Sequence, residues 1–180
     1  MKIHIETDRL IMRDLMDEDV HGMFAMDSDA DVHTFLGNKP ITQVAEAQKY
    51  IDAIKQQYIE NGIGRWAVVE KESGAFIGWS GFKFVTDDFG GRSHFYDLGY
   101  RFIKEYWGKG YATETAVASL NHGFTNLGYK EICGMADVDH IASNKILKKV
   151  GLIKRNEFTY DGKLHNFYSL SKGEWLESIS

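Results

Sequence analysis

The chain has 180 residues, 43% hydrophobic and 26% charged, with a formal net charge of -5 and a pI near 5.8. Its supply of 11 Phe, 9 Tyr and 4 Trp excludes a disordered segment, and the acidic balance argues against a nucleic-acid partner, whose phosphates call for a basic face. The length suits one domain over residues 1–180 with a substantial core.

In chain order, residues 9–13 (RLIMR) read as a strand, and the acidic residues of 16–20 suit the first turn of a helix. From Thr42, an expected N-cap, Val44, Ala47, Ile51, Ile54 and Tyr58 recur at spacings of three and four until Asn61-Gly62, which predicts an amphipathic helix. Three strand-like runs follow, 64–69, 75–82 and 94–103, joined by Glu72-Ser73-Gly74 and by the flexible loop 87–91. Connections that short predict an antiparallel meander. The stretch KEYWGKGYATE (104–114) then leads into a helix whose face carries Ala112, Ala116, Val117, Leu120 and Phe124 and which stops at Leu127-Gly128. A strand over 130–136, a helix over 141–150 closed by Gly151, and a β-hairpin turning at Tyr160-Asp161-Gly162-Lys163 complete the chain. The expected fold class is α/β (α+β), with one central, mostly antiparallel mixed sheet flanked by helices. Exposed edge strands in such a sheet invite pairing, so a homodimer is the expected assembly.

The opening residues MKIHIETDRLIMRD hold no apolar leader, and no run approaches the ~20 apolar residues of a membrane span. A cytoplasmic location without a membrane partner is therefore expected. The single cysteine, Cys133, sits in the apolar run KEICGMA and reads as a buried small hydrophobe. The seven histidines show no paired spacing of the kind zinc sites use, so no metal is expected, and most histidines read as surface residues.

Chemistry concentrates at Gly108-Lys109-Gly110. A strand feeding a helix through two glycines presents the helix's unpaired N–H groups and the positive end of its dipole, with no Cβ to keep an anion away. The loop lacks the Gly-Lys-Ser/Thr ending of a P-loop and the third glycine of a dinucleotide fingerprint. It can hold a diphosphate or be an ordinary turn.

Its surroundings favour the first. Leu98-Gly99-Tyr100 followed by Glu105-Tyr106-Trp107-Gly108-Lys109-Gly110 resembles the signature of the GNAT family of acyl-CoA-dependent N-acetyltransferases, specifically its RimJ/RimL-type branch of ribosomal-protein N-terminal acetyltransferases. The likeness extends to the opening strand (6–13), to Tyr111-Ala112-Thr113-Glu114, to Ala142-Ser143 through Leu152, and to the ending His165 through Leu170 with Glu174-Trp175. Nearly the whole chain is covered. Glu105 stands where the family pattern has Arg or Gln.

The resemblance implies acetyl-CoA as co-substrate and an amine as acceptor. It implies that main-chain groups of Gly108, Lys109, Gly110, Tyr111, Ala112 and Thr113 hold the pyrophosphate, with Lys109 adding a charge. It also implies that Phe102 and Ile103 offer main-chain groups to the acetyl carbonyl and pantetheine where neighbouring strands splay apart. Acetyl transfer further needs a route for the amine proton and a proton for the leaving thiolate. Asp97 is either a proton-transfer group or a plain exposed strand residue; His140, at a position usually Asn in the family, either moves a proton or touches pantetheine. Ser143 either donates a hydrogen bond to the thiolate or caps a helix. Leu147 stands where many relatives carry a tyrosine acid, which rules that acid out.

The acceptor is a protein N-terminal α-amine or a small amine such as a polyamine, an amino acid or an aminoglycoside-like compound. A binding module that has kept the coenzyme pocket without catalysis is the reading from another class.

Overall fold

Two periodicities sort the chain into layers. Leu10 and Met12 are fully buried and alternate with half-buried Ile11 and Arg13, which makes residues 10–13 a strand with one core face. Ala47 and Ile51, four apart and fully buried, sit on a helix whose other faces are exposed.

The computed structural model describes residues 1–180. Its strands are β1 (Ile3–Glu6), β2 (Leu10–Arg13), β3 (Arg65–Glu70), β4 (Phe76–Val85), β5 (Phe95–Phe102), β6 (Glu131–Asp137), β7 (Ile153–Tyr160) and β8 (Lys163–Ser171). The helices are α1 (Val20–Asp27), α2 (Val44–Asn61), α3 (Tyr111–Thr125), α4 (Ile141–Lys149) and α5 (Lys172–Ile179). Single 3-10 turns stand at Asp17–Asp19 and Lys104–Tyr106.

All eight strands form one sheet in the order β1-β2-β3-β4-β5-β6-β8-β7, antiparallel throughout except where β5 meets β6. Helices α3, α4 and α5 cover one face, where Trp66, Phe82, Leu98, Leu120, Phe124, Leu147 and Tyr168 form the main core. On the other face α1 and α2 pack Leu15, Met23, Met26 and Ile51 against Ala67, Trp79 and Ile103. No helix is long and apolar enough to cross a membrane.

The expected mixed α/β sheet and the antiparallel meander are both present. Several local expectations change. The N-cap of α2 is Gln43 and not Thr42, because the Glu46 carboxylate accepts from the N–H groups of both residues and fixes the start one position later. Val117 is exposed, since α3 buries its Ala116, Leu120 and Phe124 stripe instead. Strand β1 and helix α5 were not anticipated. Nor are the histidines mostly superficial: His33 is buried against Asp27, His4 stacks on Trp66, and His122 packs edge-on to the same indole.

Candidate active site

Gly108 and Gly110 have φ of 74° and 81°, in the left-handed region that a Cβ makes costly. They turn the chain sharply out of the 3-10 turn and into α3, for which Gly110 is the N-cap without any side-chain cap. As a result the N–H groups of Gly108, Lys109, Gly110, Tyr111, Ala112 and Thr113 donate to nothing within the protein. Six consecutive free donors at the positive end of a four-turn helix form an anion cradle.

The acidic residue in that first turn, Glu114, is already occupied. It accepts from the Thr7 hydroxyl and the Arg9 Nε, each at 2.7 Å, and Arg9 also donates to the Lys109 carbonyl at 2.9 Å. Glu105 is exposed and lies outside the cleft lining, beside Ala25 and Asp29. The Lys109 ammonium rests 4.9 Å from the Tyr106 ring centroid, and Lys109 does not line the cleft.

Beside this loop the sheet opens. β5 and β6 are paired at one register position, Asp97 with Cys133, and diverge beyond it. The Ile103 N–H donates to the Ile77 carbonyl at 2.9 Å, so in the alternating pattern of an antiparallel pair Arg101 also faces β4, while Tyr100 and Phe102 direct their main-chain groups into the gap. This corrects one expectation. Both polar groups of Ile103 are used, the carbonyl by the Tyr106 N–H, and its side chain packs on the α1/α2 face. Phe102 keeps its N–H toward the gap, but its carbonyl accepts from the Trp107 indole at 2.9 Å.

Helix α4 starts across the gap. The His140 Nδ1 accepts from the Ser143 N–H at 3.0 Å, so His140 is itself the N-cap. That nitrogen is therefore unprotonated, burial lowers the pKa of the imidazole, and its ring packs on Phe35 at 4.4 Å. As a cap with its lone pair engaged, His140 is poorly placed to take a proton. Ser143 is free of capping duty, and its Oγ lies 3.3 Å from the Tyr100 hydroxyl. Burial pushes Tyr100 up to about 12, so that hydroxyl keeps its proton and can back Ser143 as a donor. Asn144, one residue on, ties the helix start to the sheet through Asp137, Asn166 and Tyr168.

Through the gap, on the α1/α2 face, the chemistry is carried by side chains. Asp97 is not an exposed strand residue; it is 7% exposed and ion-paired with Arg65. Burial raises its pKa, and the Arg65 guanidinium works against that rise. Arg65 also donates to the Gly81 and Asp97 carbonyls, each at 2.6 Å. Trp79 lies between Arg65 and Arg101, at 5.2 and 5.0 Å, and Arg101 is paired with buried Asp27 at 2.7 Å. The segment between α1 and α2, with Asp31, Val32 and Phe35, forms the outer wall.

The two sides are joined in one cleft of about 1010 Å³, lined among others by Gly108, Gly110, Thr113, Phe102, Tyr100, Asp97, His140 and Ser143. Cys133 is fully buried and its thiol is pushed up to about 12 by burial, which leaves no activated cysteine in the site. No three His, Cys, Asp or Glu side chains converge as a metal site. The sequence reading missed Arg65, Trp79, Arg101 and the hydroxyl of Tyr100. One signal existed for Arg65: a Cβ on Gly99 would stand 2.6 Å from its Nη2, so the glycine of Leu98-Gly99-Tyr100 marks the passage of a guanidinium.

The acetyltransferase (GNAT) domain model matches residues 9–153. The chain is 30% identical over 150 residues to the uncharacterized N-acetyltransferase YoaA of Bacillus subtilis, covering 83% of this chain and 82% of that protein. The spermidine N-acetyltransferase from Vibrio cholerae, solved in complex with CoA and spermine, superposes with a TM-score of 0.74 at 15% identity over 94% of this chain and 99% of that one. The ribosomal-protein-S5-alanine acetyltransferase from Vibrio fischeri does so with 0.76 at 16% identity over 97% and 99%. These two likenesses are nearly equal and concern the fold, so they do not choose between a polyamine and a protein N-terminus. The match over most of the chain does establish the family: this protein belongs to the acetyltransferase (GNAT) family and is an acyltransferase of the N-acetyltransferase kind.

Proposed function

We propose that the protein transfers an acetyl group from acetyl-CoA directly to a primary amine in a ternary complex, and that the amine is a protein N-terminal α-amine, as in the RimJ/RimL branch. The coenzyme's diphosphate sits on the free N–H groups of 108–113, and its pantetheine runs into the gap along the N–H groups of Tyr100 and Phe102. The amine reaches the thioester carbonyl from the Asp97 side of the sheet. Its free nitrogen bonds to the carbonyl carbon as the C–S bond breaks, the proton that the nitrogen sheds balances the one the departing thiolate takes up, and Ser143, backed by Tyr100, supplies a hydrogen bond to that thiolate.

The observation that carries the α-amine reading is the state of the two groups first nominated for proton transfer. Asp97 is neutralised by Arg65 and His140 spends its lone pair on a helix cap, so neither suits an acceptor that holds its proton tightly. A lysine-like amine near 10.4 is free in only about one part in a few thousand at pH 7, whereas an α-amine near 8 is free in roughly one part in ten. A small cationic amine is the second reading, favoured by Asp31, Asp137 and Asp139 along the cleft.

The test is thiol release from acetyl-CoA across N-terminal peptides, polyamines, amino acids and aminoglycosides. The α-amine reading expects the highest kcat/KM for a peptide; a polyamine in that place would replace it with the second reading.

A further inference from the structure

Side chains on a strand alternate between faces, and partners in register share one. Asp97 on β5 faces Cys133 on β6, so Cys133, Met135 and Asp137 all project to the Asp97 face, and in β8 their partners Ser169, Phe167 and His165 do likewise. Asp137 and His165 are direct cross-strand partners at the open end of the gap, and both line the cleft. Such partners hold their Cβ atoms about 4.5–5.5 Å apart.

Their hydrogen bonds fix what each can do. The Lys163 carbonyl lies 3.0 Å from the His165 Nδ1, and a carbonyl only accepts, so Nδ1 carries the proton and Nε2 keeps a lone pair with no partner in the protein. This is the opposite arrangement to His140, whose Nδ1 lone pair is spent on the Ser143 N–H. Phe158, stacked at 5.5 Å, and the edge of Tyr160, at 5.8 Å, hold the His165 ring in place. Asp137 is 5% exposed; its Oδ1 accepts from the Asp139 N–H at 2.9 Å, while Oδ2 has no hydrogen-bond or ion-pair partner.

We propose that His165 is the general base of the reaction and that Asp137 holds the incoming ammonium beside it. The inference rests on the acetyl-transfer reading of the cleft above, not on which amine is used. Asp137 attracts the cationic amine, His165 Nε2 takes one proton from it directly or through one water, and the freed nitrogen lone pair forms the bond to the acetyl carbon. That first proton leaves on the imidazolium; as the tetrahedral adduct collapses the C–S bond breaks on the opposite face beside Ser143, and the second proton shed by the nitrogen balances the one the thiolate takes up, giving the amide and the free coenzyme thiol. The charged and titratable groups facing His165 are Asp137 of β6, Asp139 after it, Lys163 of its own strand and Tyr160 of β7; across the cleft stand Arg101 and Asp31.

The experiment compares the wild-type chain with His165→Gln and Asp137→Asn in the pH dependence of kcat/KM, using the best amine of the panel. His165→Gln is expected to lower kcat about 100-fold, to flatten the acid limb of the profile and to leave the Kd for acetyl-CoA unchanged. Asp137→Asn is expected to raise the amine KM about 10-fold with a smaller change in kcat. Retention of the acid limb and of wild-type kcat in His165→Gln overturns the proposal. A second readout, the ring 15N shifts of His165 in the wild-type protein, is expected to show the Nδ1–H tautomer, and the Nε2–H tautomer overturns the proposal equally. If no amine turns over, the acceptor reading fails, and the tautomer measurement decides this inference by itself.

Discussion

The two mouths of the cleft are built from different materials. On the α3/α4 side the working groups are main-chain N–H donors shaped by Gly108 and Gly110, with one serine added. On the α1/α2 side they are side chains, two pairs of them locked together, Asp97 with Arg65 and Arg101 with Asp27 around Trp79, while Asp137 Oδ2 and His165 Nε2 stay free. A backbone site depends on the path of the chain and tolerates changes of side chain, which is how Glu105 can replace an arginine or glutamine without entering the cleft. A side-chain site depends on each residue and can be rewritten one position at a time. A half built from backbone suits a ligand fixed with the fold, and a half built from side chains suits a ligand that single substitutions can change.

The largest effect that would probe this contrast is expected at Arg65. Arg65→Ala leaves a buried carboxylate without its counter-charge and strips two carbonyls of a donor, which costs about 3–5 kcal/mol in urea unfolding. The double variant Arg65→Met with Asp97→Asn should recover most of that loss; if it does not, the pair holds more than itself in place. Next is Ser143→Ala. A hydrogen bond to a charged group contributes about 1.5–3 kcal/mol, so kcat should fall roughly 10- to 100-fold while the KM for acetyl-CoA barely moves. An unchanged kcat would mean that thiolate departure draws its proton from solvent.

Gly110→Ala should act the other way round. Forcing a Cβ into the left-handed region costs about 1–2 kcal/mol, and relief of that strain distorts the cradle. The KM for acetyl-CoA is expected to rise about 10-fold with kcat nearly constant, measured by initial rates at saturating amine. The smallest effect is expected at Glu174, remote from both mouths. Arg155 and the cap of α5 at Ser171 hold its carboxyl down to about 2, well below the usual range. A depressed carboxylate stabilises the fold fully above its unfolded value near 4.5, and that contribution fades as pH falls through about 2. Glu174→Gln should therefore unfold more easily than wild type at pH 6, match it near pH 2, and leave both KM values alone.

Legibility follows the same division. Glycine spacing is written directly in the chain, so Gly108-Lys109-Gly110 and the strand-loop-helix around it could be read in advance. Ion pairs across the sheet could not. Arg65 and Asp97 are 32 positions apart, and only the register of β3, β4 and β5 brings them together. Ile103 failed for a related reason: which of two successive residues turns its N–H to the gap depends on a pairing parity that no local pattern carries. Strand β1 escaped notice because four residues with a bulge give too short an alternation. His140 and His165 look alike as letters. Their tautomers are set by a serine N–H in one case and a lysine carbonyl in the other.

The single bridge between β5 and β6 also has a mechanical side. With Asp97 and Cys133 as the one paired position, the sheet divides into two parts, β1 to β5 and β6 to β8, joined at that bridge and spanned by α3, and a hinge is expected there. Amide protons of Tyr100 and Phe102 lie mid-sheet yet face no paired strand, so with the gap empty they are expected to exchange with deuterium faster than the paired amides of the same strand. A pantetheine chain in the gap would act as a missing strand: it would slow those two amides selectively, stiffen the hinge, and raise the cooperativity with which the two parts unfold.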